Sequence, residues 1–249
     1  LSLWADRVVA PPLAWPAVHH LQGLAWHLGV VWLAARLGRR LGAGPVAAAA
    51  GAAVAALHPA QLASVQFIAA RNDLMALAFV LAASLTRRTL WVLALTVAAV
   101  LSKESAIVAP LVVLVLGRMG ADQRWPWRVA GASGLGVAVA VLLRALAGVG
   151  WPASQDLGPL VQGLGPAAAH WLTVWAWPFG LAPGASIVWR DPLPLTPALF
   201  GIACLATLIW RSPAAGRGAL LAGALLTAPA LAGVARNGLV PDRYLYAVI

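Results

Sequence analysis

Charge is scarce in this chain. Only 10% of its 249 residues are Asp, Glu, Lys or Arg, and only seven are acidic, whereas an ordinary soluble domain carries about 25% charged residues. With 62% hydrophobic residues, too little polar surface is left to cover a soluble fold. Cysteine is nearly missing: Cys204 stands alone inside an apolar run, which excludes a disulfide framework and a cysteine metal cluster. There is no HExxH pattern and no Walker loop. The glycines Gly131, Gly134 and Gly136 lie in an apolar run and lack the following lysine and serine, so nucleotide is not the expected ligand.

What is present is a series of apolar runs, at residues 89–101, 106–116, 129–143, 195–210 and 218–234, separated by short basic or Gly/Pro-rich connections. A membrane-spanning helix needs roughly 20 residues, so several runs must borrow their flanks. Alanine and glycine dominate residues 46–56, which lets helices approach closely where lipid supplies no hydrophobic drive for association. The expectation is an all-α protein: a polytopic transmembrane helical bundle of about eight spans, at 18–37, 46–57, 73–85, 89–101, 105–116, 129–146, 195–210 and 218–234. The short Trp-rich stretch HWLTVWAWPF, residues 170–179, reads as an interfacial helix at headgroup level. Residues 1–249 read as one domain, a fragment of a longer protein that lacks its N-terminal span and C-terminal part.

The net charge of +10 forms no long stripe or aromatic-interleaved patch, which argues against nucleic acid as a partner. The basic residues stand at span ends: Arg36, Arg39 and Arg40, then Arg87 and Arg88, then Arg118, Arg124 and Arg128. The positive-inside rule puts these clusters in the cytoplasm. Helix alternation then puts residues 58–72, 102–104, 148–166 and 241–246 on the opposite face. Asp6, Asp73, Glu104, Asp156 and Asp242 fall outside and Asp122 inside, while Asp191 fits either side.

Ionisable groups at the edge of a bilayer are costly unless they face a cavity or a partner, so each is a functional candidate. Asp73 reads either as an acid in a site or as an N-terminal cap. Arg71 reads as a ligand for an anion, or as a snorkelling or Asp73-paired surface group. His58 precedes Pro59 and simply ends a helix on the structural reading. Ser102, Lys103 and Glu104 fit a short charged turn, but a lysine on the outer face runs against the charge bias and suits a phosphate. His20 and His27 lie two turns apart on one helix, beside His19; a metal site would need a third ligand, and bundle histidines are the reading taken, with no metal assigned. An outer face of acidic and basic groups above an apolar bundle suits a lipid-linked, phosphate-bearing substrate.

The pieces also come in a familiar order: His20 and His27, HPAQLASVQFIAARNDLMA at 58–76, LSKESAIVAP at 101–110, Arg144, WPFGLAP at 177–183, and PDRYLY at 241–246. Together they resemble the tetratricopeptide-repeat-linked membrane O-mannosyltransferases and their bacterial relatives in the C-type glycosyltransferase superfamily. The resemblance implies a C-type architecture and an inverting transfer of a sugar, mannose in these relatives, from a polyprenyl-phosphate donor to a hydroxyl acceptor such as a protein Ser or Thr, on the exocytoplasmic face. It implies no cofactor, the lipid-linked sugar being the donor, and leaves a divalent metal open. A multi-pass protein of the bacterial inner membrane, with its active face periplasmic, follows from the same likeness. It casts an acidic residue as general base and basic groups as holders of the leaving phosphate.

By motif, Asp73 and Glu104 are the matching acids, and His58, Arg71, Lys103, Arg144, Arg243 and Tyr244 the substrate-binding groups. The family's principal acid lies in the first outer loop, where only Asp6, in LSLWADRVVAPP, is available. The repeats are absent, and AVI replaces the family's continuation after the tyrosine motif. A transporter wants mid-membrane ionisable groups, broken helices and internal repeats; here there is no repeat and the charges sit at span ends. A non-catalytic membrane scaffold, with the motifs as turns and caps, is the remaining alternative.

Overall fold

The structure, a computed structural model, describes residues 15–58, 61–119, 126–149, 203, 206–207 and 210–237. Asp6, Arg243, Tyr244, residues 170–179 and nearly all of the 148–166 connection lie outside the described residues. Among the described residues the chain is all-helical, with no strand. The helices are α1 Trp15–Arg40, α2 Pro45–Leu57, α3 Gln61–Gln66, α4 Arg71–Leu85, α5 Thr89–Ser102, α6 Ala109–Met119, α7 Pro126–Leu146 and α8 Ala214–Asn237, with 3-10 turns at Ile68–Ala70 and Glu104–Val108.

The local sequence sets these boundaries. Arg39 and Arg40 fill the last turn of α1, where the helix dipole favours a positive charge. Gly42 then takes a positive φ of 98°, which a Cβ would disfavour, and Pro45 opens α2 at the position where its missing N–H leaves no lost bond. His58 ends α2 in an extended conformation, φ −62° and ψ 128°, because Pro59 disfavours helical geometry at the residue before it.

Contacts fix the helix directions. Gln22 meets Arg71 near the starts of α1 and α4, and Arg40 meets Ser84 near their ends, so these two run parallel. His27 meets the carbonyl of Ala56, and Gly38 lies against Ala48, so α2 returns along α1. Lys103 meets Asp73 while Val92 packs with Ala83, making α5 antiparallel to α4. Val92 with Val129 and Thr96 with Ser133 make α7 parallel to α5. Gly117 lies against Pro126, so α6 finishes where α7 starts, and Gly218 near the start of α8 abuts Met119. Arg40, Arg87, Arg118 and Arg128 therefore lie at one end of the bundle, and Asp73, Lys103 and Arg144 at the other.

Small side chains make up much of the core, and many large apolar ones are exposed. The main core is built largely from Ala76, Val80, Ala99, Val100, Ala106, Ala109, Val112 and Ala140. Large apolar groups point outward: Leu21, Leu24, Leu28 and Trp32 are 64%, 43%, 56% and 57% exposed and recur at one-, two- and three-turn spacing along one face of α1. On α7, Leu135, Leu142, Leu143 and Leu146 are also exposed. The small residues at the helix contacts let the helices approach closely.

The expected count of eight spans is not supported. Among the described residues, one helix, Pro126–Leu146, is long and apolar enough to cross a membrane by itself. The apolar helices Pro45–Leu57 and Thr89–Ser102 have 13 and 14 residues, short of the roughly 20 a span requires. The helix α5 cannot borrow its C-terminal flank because the chain turns extended there: Lys103, at φ −154° and ψ 131°, separates α5 from the following 3-10 turn. The connection expected between spans at 58–72 is itself partly helical, holding α3 and a 3-10 turn.

Candidate functional site

Two segments far apart in sequence meet at the end of the bundle opposite the arginine clusters. Ala70, not Asp73, is the N-cap residue of α4, and no side chain caps it. Asp73 instead sits in the first turn of α4, where the helix dipole favours a carboxylate. Lys103 is both the last cap of α5 and the residue that leads into the 3-10 turn, and its backbone N–H still donates to the carbonyl of Ala99 at 2.9 Å. This extended backbone takes the lysine off the helix and lets Nζ reach Asp73 Oδ1. Their side chains are 20% and 16% exposed, so the ion pair is shielded yet reachable.

Arg71 does not form the surface pair that a close RND spacing suggests. It is 2% exposed, and its guanidinium donates to Gln22 Oε1 of α1. A charged hydrogen bond of this kind is worth about twice a neutral one. Behind it lies a layer of buried polar groups. Gln61 and Ser64 are 3% and 1% exposed on α3, and the Oε1 of Gln61 has no hydrogen-bond partner among the described residues. The backbone of α3 comes so near α1 that a Cβ on Gly23 would stand 3.0 Å from the carbonyl oxygen of Val65. A side chain at this position would need α3 to give way by a few tenths of an ångström.

The other expected residues are placed as follows. His58 is half-buried, with its Nε2 enclosed; its carbonyl accepts the N–H of Gln61 at 2.9 Å, which ties the end of α2 to α3. Glu104 opens the 3-10 turn and is exposed. Arg144 lies in the last turn of α7 and is half-buried, with Nε enclosed; it shares this end of the bundle. His27 is 5% exposed and its Nε2 lies 3.2 Å from the carbonyl of Ala56, while His20 is exposed. Among the described residues no three His, Cys, Asp or Glu side chains gather as metal ligands.

Chemically, the site offers a carboxylate with a cation paired to it, a second cation that is enclosed, and an amide oxygen of Gln61 with no hydrogen-bond partner among the described residues. Sequence reading missed Gln22, Gln61 and Ser64. The signal available was an amide or hydroxyl inside or beside an apolar run, where a polar group needs a partner. The chain matches no protein-family model, no curated protein and no solved structure.

Proposed function

We propose that this protein is an integral membrane glycosyltransferase that moves a sugar, mannose being the first candidate, from a polyprenyl-phosphate carrier to a hydroxyl acceptor, a protein Ser or Thr, on the exocytoplasmic face of a bacterial inner membrane. The observation that carries this reading is the meeting of Asp73 from the RND motif with Lys103 from the SKES motif, at the end opposite the arginine clusters. The outward-facing leucines of α1 and α7 support a lipid surrounding.

The acceptor oxygen attacks the anomeric carbon while the bond from that carbon to the phosphate oxygen breaks. The electron pair leaves with the polyprenyl phosphate, the configuration inverts, and Asp73 takes the hydroxyl proton. Lys103 swings from Asp73 to the departing phosphate, and Arg71, held by Gln22, adds a fixed positive charge beneath it. Exchanging Lys103 between carboxylate and phosphate leaves Asp73 open to the proton at the moment it is needed.

A transporter draws on a different observation: Asp73 and Lys103 each stand next to a 3-10 segment, and broken helices beside charged groups line many transport sites. The two readings separate in one experiment. Membranes carrying the full-length protein or Asp73→Asn are supplied with radiolabelled polyprenyl-phosphate mannose and acceptor. Label on the acceptor with the native protein, lost in a variant that still folds, is the expected result. Absence of transfer together with Asp73-dependent uptake of solute into sealed vesicles would replace the transferase with the transporter.

A further inference from the structure

The arginine end of the bundle holds a groove of about 610 Å³ lined by Arg87, Arg88, Thr89, Leu90, Trp91, Arg128 and Val129. We infer that this groove binds the headgroup phosphate of an anionic phospholipid. The inference goes beyond sugar transfer and holds whether or not transfer occurs.

Three arginines converge here from two separate helical segments, the loop before α5 and the first turn of α7. The planar guanidinium is the side chain best matched to phosphate oxygens, through paired parallel N–H donors. The field around the groove has one sign. Among the described residues, Arg36, Arg39, Arg40, Arg87, Arg88, Arg118 and Arg128 lie at this end, and the acids Asp73 and Glu104 lie at the other. The start of α5 at Thr89 adds the positive end of a helix dipole to the same sign.

The apolar half of the lining identifies the anion as a lipid. Leu90 and Trp91 are 80% and 57% exposed, directly beside Arg88 in sequence. A free phosphate gains nothing from them, whereas acyl chains and glycerol do, and tryptophan favours the headgroup level of a bilayer. The apolar surface continues along α7, through exposed Leu135 and Leu142, as an acyl chain would require. A polybasic groove next to apolar ground is thus built for an anionic lipid of the leaflet it faces.

The test uses purified full-length protein in neutral detergent, with native mass spectrometry reading the bound fraction of dioctanoyl phosphatidylglycerol, dioctanoyl phosphatidylcholine and inorganic phosphate. Phosphatidylglycerol is expected to bind in preference to the other two. Each arginine near a membrane surface contributes on a scale that corresponds to about fivefold in affinity, so Arg87→Gln with Arg128→Gln is expected to weaken it roughly thirtyfold. Arg128→Lys, which keeps the charge, should retain more binding than Arg128→Gln. Arg39→Gln removes an exposed arginine of the same end that does not line the groove, and should leave binding close to native. Equal binding of phosphatidylcholine, equal binding of inorganic phosphate, or a loss in Arg39→Gln as large as in Arg128→Gln would each overturn the inference. The last outcome would mean a diffuse field without a site.

Discussion

The two ends of the bundle use the same residue types in opposite ways. At the Asp73 end, charge is brought in from water and given a partner: Lys103 pairs with Asp73, and Arg71 is enclosed at 2% exposure against Gln22. At the other end, arginines stay near the surface and bind what the helices leave over. Arg40 donates to the carbonyl of Ser84 at 2.6 Å, Arg36 lies 4.9 Å above the ring of Trp32, and Arg118 lies 4.7 Å above that of Trp127. Enclosing a charge is costly unless it is paired, which is why the enclosed set is the one on which the proposed site is built. The surface set lies against rings and carbonyls instead.

This contrast makes graded demands. The largest effect is expected for Asp73→Asn, which preserves size and hydrogen bonding but removes the base: transfer from the polyprenyl-phosphate sugar should fall about 10²–10⁴-fold, with thermal unfolding in detergent little changed. Arg71→Met should lower stability by about 1.5–3 kcal/mol, since it removes an enclosed charged donor from the Oε1 of half-buried Gln22; a denaturant titration in mixed micelles reads this, and an effect below half of that would place the guanidinium outside the core network.

Midway between the ends, Gly136→Val would drive a side chain into α5, because even a Cβ there meets the carbonyl oxygen of Leu93 at 2.8 Å and Thr96 Cβ at 2.9 Å. Overpacking of this kind costs about 1–3 kcal/mol, and both ends should loosen together in hydrogen exchange. Arg40→Gln, which loses one charged donor to a carbonyl, should cost about 1 kcal/mol. The smallest effect is expected at Arg88, exposed and outside the paired set, where Arg88→Gln should stay within about 0.5 kcal/mol. If Arg88 proved as costly as Arg71, the distinction between the two ends would collapse.

Helices were readable from the apolar runs, since α5, α6 and α7 fall within a few residues of the runs 89–101, 105–116 and 129–146. Their number as membrane spans was not, because runs as short as 89–101 were expected to borrow their flanks, and α5 gains only Ser102 before Lys103 turns extended. The helix α3 was hidden for the reverse reason: Gln61, Ser64 and Gln66 break the apolar pattern, and its burial comes from α1 and α4. At the site, motif spacing picked out Asp73 and Lys103 as individual residues. It did not give their pairing, which needs α4 and α5 to lie antiparallel, and it offered Arg71 as the nearer partner for Asp73. The arginine turned inward because Gln22 waits on α1, 49 residues away in sequence.

The hydroxyl bond between Thr96 and Ser133, 2.9 Å and fully enclosed, pins α5 against α7. Helix α5 runs from just after Arg88 to just before Lys103, 14 residues, or roughly 21 Å at 1.5 Å per residue. A hydrocarbon layer is about 30 Å thick, so a rod of that length cannot hold both flanking cations at the water boundary of an undisturbed bilayer. In a membrane the lipid around α5 must pucker inward, or one end must sit in a recess. On the proposed reading, Lys103 would then meet the lipid-linked donor below the general surface, where an isoprenoid tail stays in oil while its phosphate arrives from the side. Depth-dependent quenching of a spin label at residue 102 would measure that recess directly, and a label at full headgroup height would remove it.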